Sequence, residues 1–257
     1  MRVDIALSRR DLGRRLAAGR AAVVIDIIRA STTITIALHH GCAGIVPVRT
    51  LREARAMAAT LGDGVLLGGE RAAAKMAGVD LGNSPGEYAR ERIEGKIVVL
   101  TTTNGTRAFR AIEGAREVIA CAFLNVSATA RWLGRAGLDV LIVCAGRNGH
   151  FCLEDAVGGG MLIDRLSRIS DRSLELSDGA RAAHLLYAAN RGDLLEALRG
   201  CEWGRDITRK GFGADLEVCA KVDLTDVVPV MREGRLVAER VCGSAPAALE
   251  PAGSPEA

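Results

Sequence analysis

The chain has 257 residues, 49% hydrophobic and only 3% aromatic, with a net charge of +3. That length suits one large α/β domain, or a main domain with a small lobe, whose core must be built from Ala, Val, Leu and Ile. The scarcity of aromatics argues against base stacking and the small charge against a general polyanion surface, so no nucleic-acid partner is expected.

The seven cysteines are dispersed, odd in number and without C-x-x-C spacing. Neither a disulfide framework nor a zinc knuckle is indicated, and buried reduced thiols are expected. No apolar run reaches the length of a membrane span, and the first ten residues alternate charged and apolar positions rather than forming a signal peptide. The expectation is a cytoplasmic protein with no membrane contact, its oligomeric state open to a homo-oligomer.

In chain order, residues 3–7 predict a strand and 9–18 a polar-faced helix. Residues 22–28 form a continuous β-branched run, the pattern of a strand buried on both faces. Ser31-Thr32-Thr33 follows and can cap a helix to about His40. A strand is expected at 44–48, a helix at 51–61, and a short strand at 65–67 ending in Gly68-Gly69-Glu70-Arg71. Turn chemistry at Leu81-Gly82-Asn83-Ser84-Pro85 leads into a helix. Residues 97–100 predict a strand and 106–112 a helix. A strand–helix–strand unit follows over 117–120, 126–135 and 138–143.

Residues 153–169 keep a helical period despite Gly158-Gly159-Gly160, which implies close packing there, since each glycine costs roughly 1 kcal/mol relative to Ala. From 178 to 222 the chain reads as mostly helical, with breaks at Arg191-Gly192 and at 211–213. Residues 227–230 and 235–238, around Glu233-Gly234, read as a terminal hairpin. The expected architecture is a layered α/β/α fold around a largely parallel or mixed sheet. It would occupy residues 1–242, with a helical lobe near 171–222 and a disordered tail over 243–257.

Three of the apolar runs end in polar clusters: Asp26 with Arg29 and Ser31-Thr32-Thr33, then Thr101 to Thr106, then Gly146-Arg147-Asn148-Gly149. In open α/β sheets ligands bind beyond the carboxyl ends of strands, so the three clusters predict one polar site. A carboxylate at Asp26, within an apolar strand end, needs a cation or several donors. The bland alternatives are an Asp26–Arg29 pair closing the turn, or Asp26 capping the next helix. A haloacid-dehalogenase pattern requires a second acid two residues on, where Ile28 stands.

Thr101 to Thr106 offers hydroxyls and backbone N–H groups suited to an anion, though an ordinary helix cap would look similar. Glu154 and Asp155 open the helix after the third cluster, as dipole-favoured acids often do. With Asp26, either would suffice for a hard divalent ion. Arg71 adds a guanidinium that matches phosphate or carboxylate oxygens. His150 lies near the proposed site, and Cys152 is the cysteine nearest to it.

These residues resemble the 2-phosphosulfolactate phosphatase family of coenzyme M biosynthesis. The resemblance rests on Asp26-x-x-Arg29-Ala-Ser-Thr-Thr, Gly69-Glu70-Arg71, Asp80-Leu-Gly-Asn83-Ser84-Pro85, Thr101-Thr-Thr-Asn104-Gly105-Thr106-Arg107, Gly146-Arg147-Asn148-Gly149 and Leu153-Glu154-Asp155. It extends to Asp206 and the 215–223 stretch. Two places depart from the family pattern: Ala72-Ala73-Ala74 replaces a stretch richer in Gly and Lys, and His150 and Cys152 stand where Arg and Ser are usual.

The resemblance implies a Mg²⁺-dependent hydrolase that converts (R)-2-phospho-3-sulfolactate to 3-sulfolactate and phosphate. On this reading Asp26, Arg29, Asn104 and Arg147 serve catalysis. Arg71, Asn83, Ser84, Thr102, Thr103, Gly105, Thr106 and Asn148 bind the small polyanionic substrate, and Asp26, Glu154 and Asp155 hold the metal. Attack by a water whose pKa the metal lowers is the expected route, with a phospho-aspartyl intermediate at Asp26 as the other. A phosphatase for another small phosphorylated 2-hydroxy acid, or a non-catalytic anion-binding regulator, are the competing functions.

Overall fold

The computed structural model describes residues 1–12, 16–112, 114–169 and 173–241. The tail expected from 243 and the proposed start of the helical lobe at 171–172 lie outside them. Eleven strands form one sheet: β1 (Arg2–Ala6), β2 (Ala21–Ile25), β3 (Gly44–Pro47), β4 (Val65–Arg71), β5 (Ala74–Lys75), β6 (Ile97–Thr101), β7 (Glu117–Cys121), β8 (Val140–Cys144), β9 (Glu175–Leu176), β10 (Val227–Arg232) and β11 (Arg235–Arg240). The order across the sheet is β5-β4-β6-β3-β11-β10-β7-β2-β8-β1-β9. This is the expected layered α/β fold. The continuous apolar runs of β2 and β8 are buried at every position, as parallel strands covered on both faces require.

The hairpin β10–β11 is terminal in sequence but central in the sheet. β11 pairs antiparallel with β3 at Leu236–Ile45, and β10 pairs antiparallel with β7 at Val230–Ile119. It therefore joins two internally parallel blocks, β4-β6-β3 and β7-β2-β8-β1-β9, whose strands run in opposite senses. Five inter-strand steps separate β6 from β2. At roughly 20–25° of twist each, the strand direction turns by more than about 100° between them. The twist thus swings the carboxyl ends of the two blocks toward one another instead of leaving them on opposite edges.

The helix Leu153–Ile169 packs on the helices Val126–Ala136 and Asp178–Asn190. Its glycines allow close packing on two sides: Gly158 and Gly159 against Ile25, Ile27, Ile5 and Ile142 of the sheet side, and Gly160 against the helix Asp178–Asn190. A Cβ on Gly158 would come within 2.8 Å of the Ile27 side chain, and one on Gly160 within 2.0 Å of the Ala183 carbonyl. The segment expected to be helical over 9–18 differs. Its described part holds a single 3-10 turn, Arg9–Asp11, because the Asp11 carboxylate accepts from both the backbone N–H and the hydroxyl of Ser8 and closes the turn there. The helix expected after Pro85 is likewise reduced to a 3-10 turn at Pro85–Glu87 and the short helix Arg90–Ile93. The six described cysteines are free and buried. No helix among the described residues is long and apolar enough to cross a membrane.

Candidate active site

Asp26 follows β2 directly and is 7% exposed. Its Oδ1 accepts the Ala30 N–H at 3.2 Å, so the capping role for Asp26 is realised. The Asp26–Arg29 pair is not. Arg29 turns away, and its guanidinium donates to Asp215 at 2.7 Å and to the Ala73 carbonyl at 2.7 Å, 4.5 Å above the Phe212 ring. Nor do the hydroxyls that follow cap the helix Ala30–His39, whose N-cap is Arg29. Ser31 donates to Val24 O, Thr32 to Ile27 O and Thr33 to Asn83 O, which ties the strand end to its neighbours. Burial pushes the Asp26 carboxyl up to about 7; the charges of Glu70 and Glu154 act in the same direction, opposed by the Ala30 N–H and Arg29.

The end of β6 sits beside Asp26. Thr102 and Thr106 are bonded to each other through backbone and hydroxyl groups. Thr103 donates its N–H to Glu70, which also accepts the Ala73 N–H. Asn104 reaches the third cluster, its Oδ1 accepting the Asn148 N–H at 2.9 Å. Gly105 opens the next helix against Asp26, and a Cβ there would lie 2.8 Å from Asp26 Oδ2. Arg71 is held by the Glu70 and Arg49 carbonyls and the Thr101 hydroxyl.

At the end of β8, Arg147 stacks 4.5 Å from the Trp203 ring centroid and pairs with Asp206 at 2.5 Å and Glu202 at 3.2 Å. Trp203 is fixed by its indole N–H, which donates to Ile28 O at 2.8 Å. Asp155 spends both carboxylate oxygens on backbone, accepting from Ile27 N and Gly146 N, and so clamps the ends of β2 and β8 together. Burial raises the pKa of both Asp155 and Glu154. For Asp155 the charges of Asp26 and Glu154 add to the effect, and for Glu154 the Cys201 and Cys152 thiols and Arg147 oppose it.

These pieces enclose one pocket of about 220 Å³, lined by Asp26, Ile28, Arg29, Glu70, Arg71, Ala72, Asn83, Thr102, Thr103, Asn104, Arg147, Asn148, Trp203 and Lys210. All three strand-end clusters contribute, together with Arg71 and Asn83. Two side-chain atoms of the lining residues, Asn83 Oδ1 and Thr103 Oγ1, are buried with no partner among the described residues.

Five residues of the expected set lie behind the wall instead. Ser84 donates to Asp215 at 2.6 Å, Gly105 leaves room for Asp26, Thr106 braces Thr102, and Glu154 and Asp155 are buried. His150 shares a backbone bridge with Arg147, and its side chain is exposed. Sequence reasoning did not assign Glu70, Trp203 or Lys210 to the site. Glu70 stood inside a quoted motif, and Trp203, one of two tryptophans, sits in the otherwise polar helix Glu202–Arg209, which was a usable signal.

The sequence model of the 2-phosphosulpholactate phosphatase family matches residues 8–234. A probable 2-phosphosulfolactate phosphatase of Thermotoga petrophila is 43% identical over 215 residues, 84% of this chain and 90% of that protein. Proteins of the same description from Symbiobacterium thermophilum and Clostridium acetobutylicum are 40% and 36% identical, covering 86% and 92% of this chain and 94% and 100% of their own lengths. With matches this long and this similar, the chain belongs to the 2-phosphosulfolactate phosphatase family.

Proposed function

We propose that this protein is a Mg²⁺-dependent phosphatase that hydrolyses (R)-2-phospho-3-sulfolactate to 3-sulfolactate and phosphate. The observation that carries the reading is the joining of three strand-end clusters into one small, cation-rich pocket, in a chain whose relatives bear that activity in their names. A pocket of about 220 Å³ suits a three-carbon acid better than a larger ligand.

The donor set fits a magnesium ion of the usual kind. Among the described residues no group of three or more His, Cys, Asp or Glu is arranged as an all-protein cage. Mg²⁺ does not need one, since it is commonly held by one or two carboxylates with waters and substrate oxygens. Burial is the main cause that raises the Asp26 pKa, and the charges of Glu70 and then Glu154 add to it, a repulsion that a cation beside Asp26 would relieve. Asp26, the one of the three expected metal ligands that lines the pocket, would hold it, while Glu154 lies behind the wall and Asp155 serves the backbone. When bound, the ion would neutralise phosphate charge and favour ionisation of an attacking water.

Phosphoryl transfer is accelerated mainly by positioning and charge, and that is what the remaining residues supply. Arg29, buried and locked by Asp215, presents a cation that cannot swing away. Arg147 is fixed in the same manner by Asp206 and the Trp203 face. Thr102, Thr103 and Asn104 bring hydroxyl and amide groups to the phosphate oxygens, and the buried Thr103 hydroxyl has no other partner among the described residues. The test is phosphate release from 2-phosphosulfolactate with Mg²⁺ and with chelator. Release that stops with chelator supports the reading, and no release at any Mg²⁺ concentration ends it.

A further inference from the structure

Four cationic side chains line the pocket, and they are not equivalent. Arg29 is matched by Asp215, and Arg147 by Asp206 and Glu202. Arg71 is anchored by three neutral acceptors. Lys210 is the least committed. Its Nζ donates to the Ala72 carbonyl at 3.0 Å and lies 5.3 Å from the Trp203 ring centroid, and no carboxylate pairs with it among the described residues. An ammonium has three donors, so two remain for a ligand.

Position separates the roles further. Asp26, Arg29 and Thr102 are buried at the inner end, whereas Lys210, Ala72 and Asn148 are exposed at the mouth. A substrate with its phosphate at the inner end must direct its other groups outward. Lys210 and Arg147 both lie against the one indole ring of Trp203. Of these two, Lys210 gains more from an incoming anion, because Arg147 already has its counter-charges.

Building on the phosphatase reading above, we propose that Lys210, held on the Trp203 ring, is a specificity residue that binds a non-reacting anionic group of the substrate, a sulfonate or carboxylate remote from the phosphate.

Titration calorimetry in Mg²⁺ buffer tests this with two probes, 3-sulfolactate and inorganic phosphate, on the full-length wild type, Lys210→Met and Lys210→Arg. Losing a charge-assisted hydrogen bond at a partly exposed site should weaken 3-sulfolactate binding about tenfold in Lys210→Met. Phosphate affinity should change less than about threefold, and Lys210→Arg should recover most of the loss. Equal losses for both probes, or none for 3-sulfolactate, overturn the assignment. So does a wild type that fails to bind 3-sulfolactate. A wild type that binds as expected yet releases no phosphate from 2-phosphosulfolactate refutes the phosphatase reading and leaves Lys210 in place.

Discussion

Replacing Gly105 by Ala should damage catalysis more than stability. The new methyl would sit 2.6 Å from Ala30 Cβ and 2.8 Å from Asp26 Oδ2, both inside any normal contact distance. Neither neighbour yields freely, because Ala30 belongs to the helix Ala30–His39 and Asp26 is tied to its N–H. Overpacking of this kind costs about 1–3 kcal/mol, and the better helix propensity of Ala returns up to about 1 kcal/mol. With about 1 kcal/mol returned, the net loss is no more than about 2 kcal/mol and should lower Tm by at most about 8 °C in a chain of this size. Restoring an ordinary contact requires the carboxylate to move by roughly 0.5–1 Å, and a misplacement near 1 Å at a reacting group can cost about 100-fold. The expected result is a fall in kcat of about 10- to 100-fold with a modest drop in melting temperature. Unchanged kcat, whether or not Tm falls, would show that Asp26 is not part of the chemistry.

Asp215→Asn should be the more damaging of two acid-to-amide changes. Arg29 is 2% exposed, and an uncompensated buried guanidinium costs about 3–5 kcal/mol, so melting should fall by at least about 6 °C. Asp206→Asn, at the solvent-facing pair with Arg147, should leave Tm nearly unchanged while weakening substrate use. Equal thermal effects would contradict the different burial of the two pairs. Ala72→Gly should raise Tm by about 1–4 °C, because Ala72 holds a left-handed φ of 53° that an L side chain disfavours and glycine tolerates. A lower Tm would show that the turn is not strained.

The strand ends were legible because their signals are local. A continuous apolar run such as β2 or β8 can only be a buried strand or helix, and the polar residues that stop it must face a ligand or one another. Asp26, Asn104 and Arg147 were found this way and share one pocket. The Gly158-Gly159-Gly160 packing was legible for the same reason. What sequence could not give was the partner of each group. Arg29 is three residues from Asp26 yet pairs with Asp215, 186 residues away, so the obvious short-range pair was the wrong one. Ser84 was read as facing substrate, but the same Asp215 takes its hydroxyl. The central placement of β10–β11 also escaped, since a hairpin's own pattern fixes its turn and register but not which strands flank it. Trp203 enters the pocket from a polar helix and Lys210 from that helix's C-cap, where amphipathic pattern alone marks a solvent-facing element.

The measurement closest to the central claim is turnover of Asp26→Asn on 2-phosphosulfolactate at saturating Mg²⁺, with Tm recorded on the same sample. The amide removes a carboxylate that burial disfavours, so the fold should melt no lower than wild type, while kcat falls by at least about 10³-fold. A variant that melts normally and still turns over within a few-fold of wild type would contradict the account.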